Sequence, residues 1–126
     1  MLEMGRHILL VDDEPYILRI LSFKLRREGY AIFEARSAED AEQILADQTI
    51  DLILLDVGLA TPTSGFDLAA KLRAQHATSH LPIIMLTAHG FSNDILRGRE
   101  LGAAGYITKP FSTSEVIQRV RSILDA

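Results

Sequence analysis

A chain of 126 residues with 48% hydrophobic and 24% charged residues suits one globular domain with a core of useful size. The net charge of -4 gives no basis for direct nucleic-acid binding, and the lack of cysteine excludes disulfides and thiolate metal sites. No apolar run approaches the ~20 residues of a membrane span, and residues 1–5 are too short and polar for a signal peptide. A single domain over residues 1–126 is expected, with 1–6 as an N-terminal extension. Residues 7–11 read as a strand buried on both faces, and it runs into Asp12, Asp13 and Glu14. Pro15 suits the first turn of a helix, where an N–H is dispensable. Ile17, Leu18, Leu21 and Leu25 follow at helical spacing, Lys24, Arg26 and Arg27 lie near the C-terminal end, and Gly29 is the stop. Residues 30–35 are a second, shorter strand.

Ser37 can cap a second helix, with Asp40 three residues on and Ala38, Ala41, Ile44 and Leu45 on its apolar side. Residues 50–55 are the third strand, rich in Ile and Leu, and it stops on the carboxylate of Asp56. A loop rich in breakers covers 57–65, and a third helix from about Phe66 turns Leu68, Ala69 and Leu72 inward. After a polar connection, residues 82–87 are the fourth strand, ending on Thr87. Ser92 can cap a fourth helix containing Ile95, Leu96 and Leu101. Gly98 inside that helix costs about 1 kcal/mol relative to alanine, and Gly102 ends it. Residues 105–109 are the fifth strand, followed by Pro110. Ser112 and Glu115 have capping-box spacing, and Val116, Val120, Ile123 and Leu124 stripe the last helix. Five strand–helix units predict a doubly wound α/β fold: a five-stranded parallel sheet, order 2-1-3-4-5, with helices on both faces.

In such a sheet the C-terminal strand ends share one edge, where ligands bind. That edge collects Asp12 and Asp13 from strand one, Asp56 from strand three, Thr87 from strand four and Lys109 from strand five. Alone, an Asp pair, a threonine or a Lys-Pro is more often a cap, a turn or a surface feature. Their joint placement on four strand ends carries the argument. Three carboxylates in one cleft raise one another's pKa. A hard divalent cation resolves the conflict, and Mg²⁺ favours an oxygen octahedron at about 2.0–2.1 Å. Lys109 supplies a positive charge and Thr87 a hydroxyl, parts that suit phosphoryl transfer. Asp56 is then the natural nucleophile, because carboxylates form aspartyl-phosphates.

With these residues in hand, the chain resembles the receiver domain of two-component response regulators, a flavodoxin-like fold. The resemblance runs from residues 8–14 through Leu55, Asp56, Leu86, Thr87 and Ala88 to residues 105–111 and the last helix. It implies that Asp56 accepts a phosphoryl group from a sensor histidine kinase or a histidine phosphotransfer protein. It implies that Asp12, Asp13, Asp56 and the Gly58 backbone carbonyl hold Mg²⁺, with Mn²⁺ as a substitute. Lys109 would contact the phosphoryl oxygens, Thr87 would bond to them afterwards, and Tyr106 would be the switch aromatic. The Lys109–Pro110 peptide would be cis. Gly58 and His89 stand where the family tunes loss of the phosphoryl group. The chain departs from the pattern after Asp56: Ala60 stands at the usual Pro position, Pro62 comes later and Gly65 one residue late, which implies a one-residue insertion within 58–64.

The resulting expectation is a cytoplasmic signalling switch, not an enzyme in its own right. Its output is the face of the fourth helix, fifth strand and fifth helix, through an effector domain, an output protein or a homodimer. No direct contact with nucleic acid or membrane is expected. A Mg²⁺ phosphohydrolase of the haloacid-dehalogenase type usually has a second Asp two residues after the nucleophile, where this chain has Gly58. A flavodoxin-like nucleotide binder needs small donors after strand one, where this chain has Asp12, Asp13 and Glu14. A receiver used without phosphorylation is disfavoured by the complete acid set. His76 and His80 read as surface loop residues, His7 as preceding the first strand without a special role, and Arg97, Arg99, Arg119 and Arg121 as solvated faces, with a contribution to a partner surface as the alternative.

Overall fold

The five apolar runs become five strands, each followed by a helix: β1 (His7–Val11), α1 (Pro15–Arg27), β2 (Ala31–Ala35), α2 (Ala38–Asp47), β3 (Leu52–Asp56), α3 (Gly65–Ala74), β4 (Ile83–Thr87), α4 (Ser92–Glu100), β5 (Gly105–Thr108) and α5 (Thr113–Leu124). The computed structural model describes residues 5–59, 64–87 and 92–125. All four strand pairs are parallel, in the order β2-β1-β3-β4-β5. This is the expected order.

Alternation along the strands sorts the core into two layers. Leu9, Val11, Ile53, Leu55, Ile83 and Met85 face α2 and α3. Ile8, Leu10, Leu52, Leu54, Ile84 and Leu86 face α1 and α5. Both sets are at most 1% exposed, which is why β1, β3 and β4 read as unbroken apolar runs. Each such side chain contributes roughly 1.5–3 kcal/mol through burial.

Local signals set the helix ends. Pro15 occupies the first turn of α1, and Gly29 (φ 99°) and Gly102 (φ 71°) reverse the chain after α1 and α4 in the left-handed region. Ser37 Oγ accepts from the Asp40 N–H at 3.1 Å, and Ser112 Oγ from the Glu115 N–H at 3.1 Å. The third helix starts one residue before the expected Phe66. Ser64 caps it, and Asp67 returns a bond to the Ser64 N–H at 3.2 Å, closing a capping box. Ser92 lies within α4 rather than ahead of it.

The third strand is shifted from the expected 50–55. Asp51 is held before the ladder, where its carboxylate accepts from the His7 N–H at 2.7 Å and its N–H donates to the His7 carbonyl at 2.8 Å. At the other end Asp56 belongs to the strand, opposite Leu86. Arg73, unremarked in the sequence, joins α3 to the turn after α4. Its Nε donates to the Leu101 carbonyl at 2.7 Å and its Nη2 to the Gly102 carbonyl at 3.2 Å. Arg97 is not merely solvated either: its guanidinium lies 4.5 Å from the centre of the Phe66 ring. Arg121 pairs with Glu28. His76 and His80 are exposed residues of the turn after α3. Among the described residues, no helix is long and apolar enough to cross a membrane.

Candidate phosphoacceptor site

Backbone hydrogen bonds continue past the strand ends and so fix where each polar side chain starts. The Asp12 N–H donates to Ala35 at 3.0 Å, the Val57 N–H to Leu86 at 2.8 Å and the Lys109 N–H to Thr87 at 2.6 Å. Asp12, Asp56 and Thr87 are buried, at 1%, 5% and 2% exposure. Asp12, Asp13 and Asp56 each offer a carboxylate oxygen, and these atoms lie within 4.8 Å of one another. Acids separated by more than forty positions therefore meet because β1 and β3 are neighbours in register, Val11 opposite Leu55.

Lys109 reaches into this cluster from just past β5. Its Nζ donates to Asp12 Oδ2 at 3.0 Å and to Glu14 Oε1 at 3.3 Å, and lies 3.6 Å from Asp56 Oδ1. Burial works against the ammonium, but the Asp12 hydrogen bond and the charges of Asp12 and Asp56 outweigh it and hold its pKa above the usual lysine value. Asp56 is pushed up to about 6, first by burial and then by the Asp12 charge. The Gly58 N–H, donating to Asp56 Oδ1 at 3.0 Å, and the Lys109 charge oppose this without cancelling it. The reason is geometric: Lys109 sits nearer Asp12 than Asp56.

With Glu14 included, four carboxylates face one ammonium. The donors are all hard oxygens, and Asp12 and Asp56 are buried with Asp13 half-buried, so these three fit a small divalent cation of the Mg²⁺ kind. Asp12, Asp13, Asp56, Thr87 and Lys109, the polar residues expected at the strand ends, all stand on one edge of the sheet. Tyr106 is half-buried on β5 and packs against the α2–α3 side of the core. The Lys109–Pro110 peptide is cis. His89, Ala60 and Pro62 lie outside the described residues.

Two further residues shape the site. Glu14 contacts Lys109, a role its place in the acidic run could have signalled. Gly65 matters through close approach: a Cβ there would lie 2.2 Å from the Asp56 carbonyl oxygen, and the Gly65 N–H donates to Val57 at 3.1 Å. The first residue of α3 thus presses on the backbone that carries Asp56, a contact with no local sequence signal. Beside the site, Glu14, Tyr16, Ile17, Lys109, Pro110 and Phe111 line a cavity of about 460 Å³, with Tyr16 68% exposed.

Comparison with known proteins agrees with this geometry. The family model described as the response regulator receiver domain matches residues 8–121. The chain is 41% identical over 121 residues to the phosphate regulon transcriptional regulatory protein PhoB of Pseudomonas aeruginosa, covering 96% of this chain and 52% of that protein. It therefore spans about half the length of this curated relative. Similar solved structures include the chemotaxis protein CheY4 of Vibrio cholerae (TM-score 0.89, 27% identity, 95% of this chain and 99% of that one). The non-phosphorylated HemR receiver domain of Leptospira biflexa is another (TM-score 0.88, 33% identity, 97% and 96%). TrrA of Thermotoga maritima, solved in complex with Mg²⁺ and BeF, also matches (TM-score 0.82, 32% identity, 94% and 99%). A doubly wound sheet with these acids gathered at its carboxyl edge, matched along nearly its whole length, makes the chain a member of the response regulator receiver domain family of two-component signalling.

Proposed function

We propose that the chain is a phosphorylation-driven switch in which Asp56 accepts a phosphoryl group from a sensor histidine kinase or a histidine phosphotransfer protein. An Asp56 carboxylate oxygen forms the new O–P bond as the P–N bond of the donor phosphohistidine breaks. The observation that carries this reading is the meeting of Asp12, Asp13 and Asp56 with Lys109 in one cleft. Asp56 titrates near 6 and is therefore ionised, and nucleophilic, at neutral pH.

Asp12, Asp13, Asp56 and the Gly58 carbonyl are the proposed holders of Mg²⁺ or Mn²⁺. The bound cation supplies charge neutralisation and orientation of the phosphoryl oxygens. Lys109, freed in part from Asp12, bonds to a phosphoryl oxygen. Thr87, level with Thr108 at the end of β4, donates its hydroxyl to another. Tyr106 follows on the same face of the adjacent strand, and the face of α4, β5 and α5 changes. Gly58 and His89 set how fast water removes the phosphoryl group, with the domain assisting its own dephosphorylation.

The donor docks over the cavity between Tyr16 and Phe111, beside Lys109. The output is an effector domain, an output protein or a second copy on the α4-β5-α5 face, and the setting is cytoplasmic. Intact-mass measurement with a small phosphodonor such as acetyl phosphate tests the reading. One phosphoryl group added with Mg²⁺, lost with chelator and lost in Asp56→Asn is the expected result. Undiminished phosphorylation of Asp56→Asn contradicts it.

A further inference from the structure

A glycine in the middle of a helix is unfavourable, because it loses more backbone entropy than alanine and packs nothing. Gly98 sits inside the nine-residue α4 and is buried. Its surroundings give the reason. The three atoms nearest to a Cβ built at Gly98 all belong to Tyr106: the phenol oxygen at 2.1 Å, Cε2 at 2.2 Å and Cζ at 2.5 Å. The distal half of the ring occupies the volume that any other side chain would fill. Tyr106 pairs with Met85 in the β4–β5 ladder, two positions before the Thr87–Thr108 pair. Side chains two apart on a strand share a face, so the ring and the Thr87 hydroxyl stand on the same side of the sheet. Tyr106 also lines a cavity of about 300 Å³ with Arg99, Ala103, Ala104, Gly105 and Arg119. Its position therefore reaches the outer surface between α4 and α5.

We infer that Gly98 is the positioning residue for Tyr106: its missing side chain is the seat that lets the ring lie against α4, and it sets the balance between this position and one swung away from the helix. The inference rests on the reading of Tyr106 as the switch aromatic, and it adds the part of α4 that the ring works against. A Cβ at Gly98 closes the seat, because overlaps this deep require the ring to leave or the helix to shift. The same Cβ favours the helix by propensity. The two effects separate in a double-mutant cycle.

The test compares the parent chain, Gly98→Ala, Tyr106→Ala and the double variant, all unphosphorylated. In the Tyr106→Ala background, Gly98→Ala is expected to raise Tm by about 3–6 °C, the gain from helix propensity alone. In the parent background that gain disappears or reverses. The Tyr106 ring resonances, observed by ¹³C-tyrosine labelling, gain accessibility to a paramagnetic co-solvent. If Gly98→Ala fails to fold while the double variant folds, the seat is equally supported. Equal Tm changes in both backgrounds with unmoved ring resonances, or failure of both variants to fold, overturn it. Beryllofluoride with Mg²⁺, added to the parent, separates the two readings. A Tyr106 ring that does not respond refutes the switch role and leaves the seat standing on the cycle.

Discussion

At the scale of single residues, the charge state of Asp56 governs the site. Its carboxyl titrates near 6 in the folded chain against an ordinary 3.8. The folded state holds this proton more tightly, so the contribution to stability is fully present below pH 3.8 and is lost as pH rises through 6. Without metal at about pH 7.5, Asp56→Asn is therefore expected to stabilise the fold by about 1–2 kcal/mol, allowing for water at the cleft mouth. Denaturant unfolding checks this, and the gain should vanish at about pH 3.5, below both pKa values. A Mg²⁺ ion also favours the charged form, so the Asp56 midpoint, followed by carboxyl ¹³C NMR, should move below 6 when the ion is added. Gly65 offers a steric counterpart. A Cβ 2.2 Å from the Asp56 carbonyl must displace either α3 or the end of β3. Gly65→Ala is expected to cost about 1–3 kcal/mol and to slow phosphorylation by acetyl phosphate beyond what the unfolded fraction explains. Retention of full phosphorylation rate would remove Gly65 from the site.

At the scale of elements, what was legible in the sequence is what local periodicity encodes. Runs such as 8–11 and 83–86 are buried on both sides of the sheet, so they had to be apolar throughout and short. Ser37, Ser112, Gly29 and Gly102 mark helix ends by chemistry confined to a few neighbouring residues. Contacts between distant residues left no such trace. Arg73 closes its bonds with Leu101 and Gly102 across 28 and 29 positions, and nothing around residue 73 announces them. Gly98 is unfavourable in α4 by propensity, and the Tyr106 ring lying over it is invisible from the residues around position 98. Burial lowers the pKa of the Arg73 guanidinium, and the group bonds four carbonyls, including those of Thr78 and Ser79. Arg73→Ala is expected to destabilise the domain by about 1–3 kcal/mol. It should also raise amide hydrogen exchange at Leu101–Ala103, where the turn after α4 loses its tie. Exchange unchanged there would show that α4 docks without it.

At the scale of the whole molecule, the sheet order decides the function. Placing β1 and β3 side by side, with β4 and β5 following, turns four scattered polar strand ends into one cleft. This step was legible because parallel strands put all their carboxyl ends on one edge. What depends on contacts between distant loops and helices was not: the approach of Gly65 to the Asp56 carbonyl has no periodic signal. If the cleft binds a cation only when folded, Mg²⁺ stabilises the domain by mass action, about 2.7 kcal/mol at one hundred times its dissociation constant. A Tm that rises with Mg²⁺ in the parent and stays constant in Asp13→Asn is the expected pattern. An equal rise in both would place the ion elsewhere. The most direct measurement locates the phosphoryl group itself. Borohydride reduces an aspartyl phosphate to homoserine, and peptide mapping after phosphodonor and Mg²⁺ treatment then identifies the residue converted. Homoserine at position 56, and nowhere when the ion is chelated, is expected; conversion at another aspartate, or none in a chain that gains phosphoryl mass, would contradict the account.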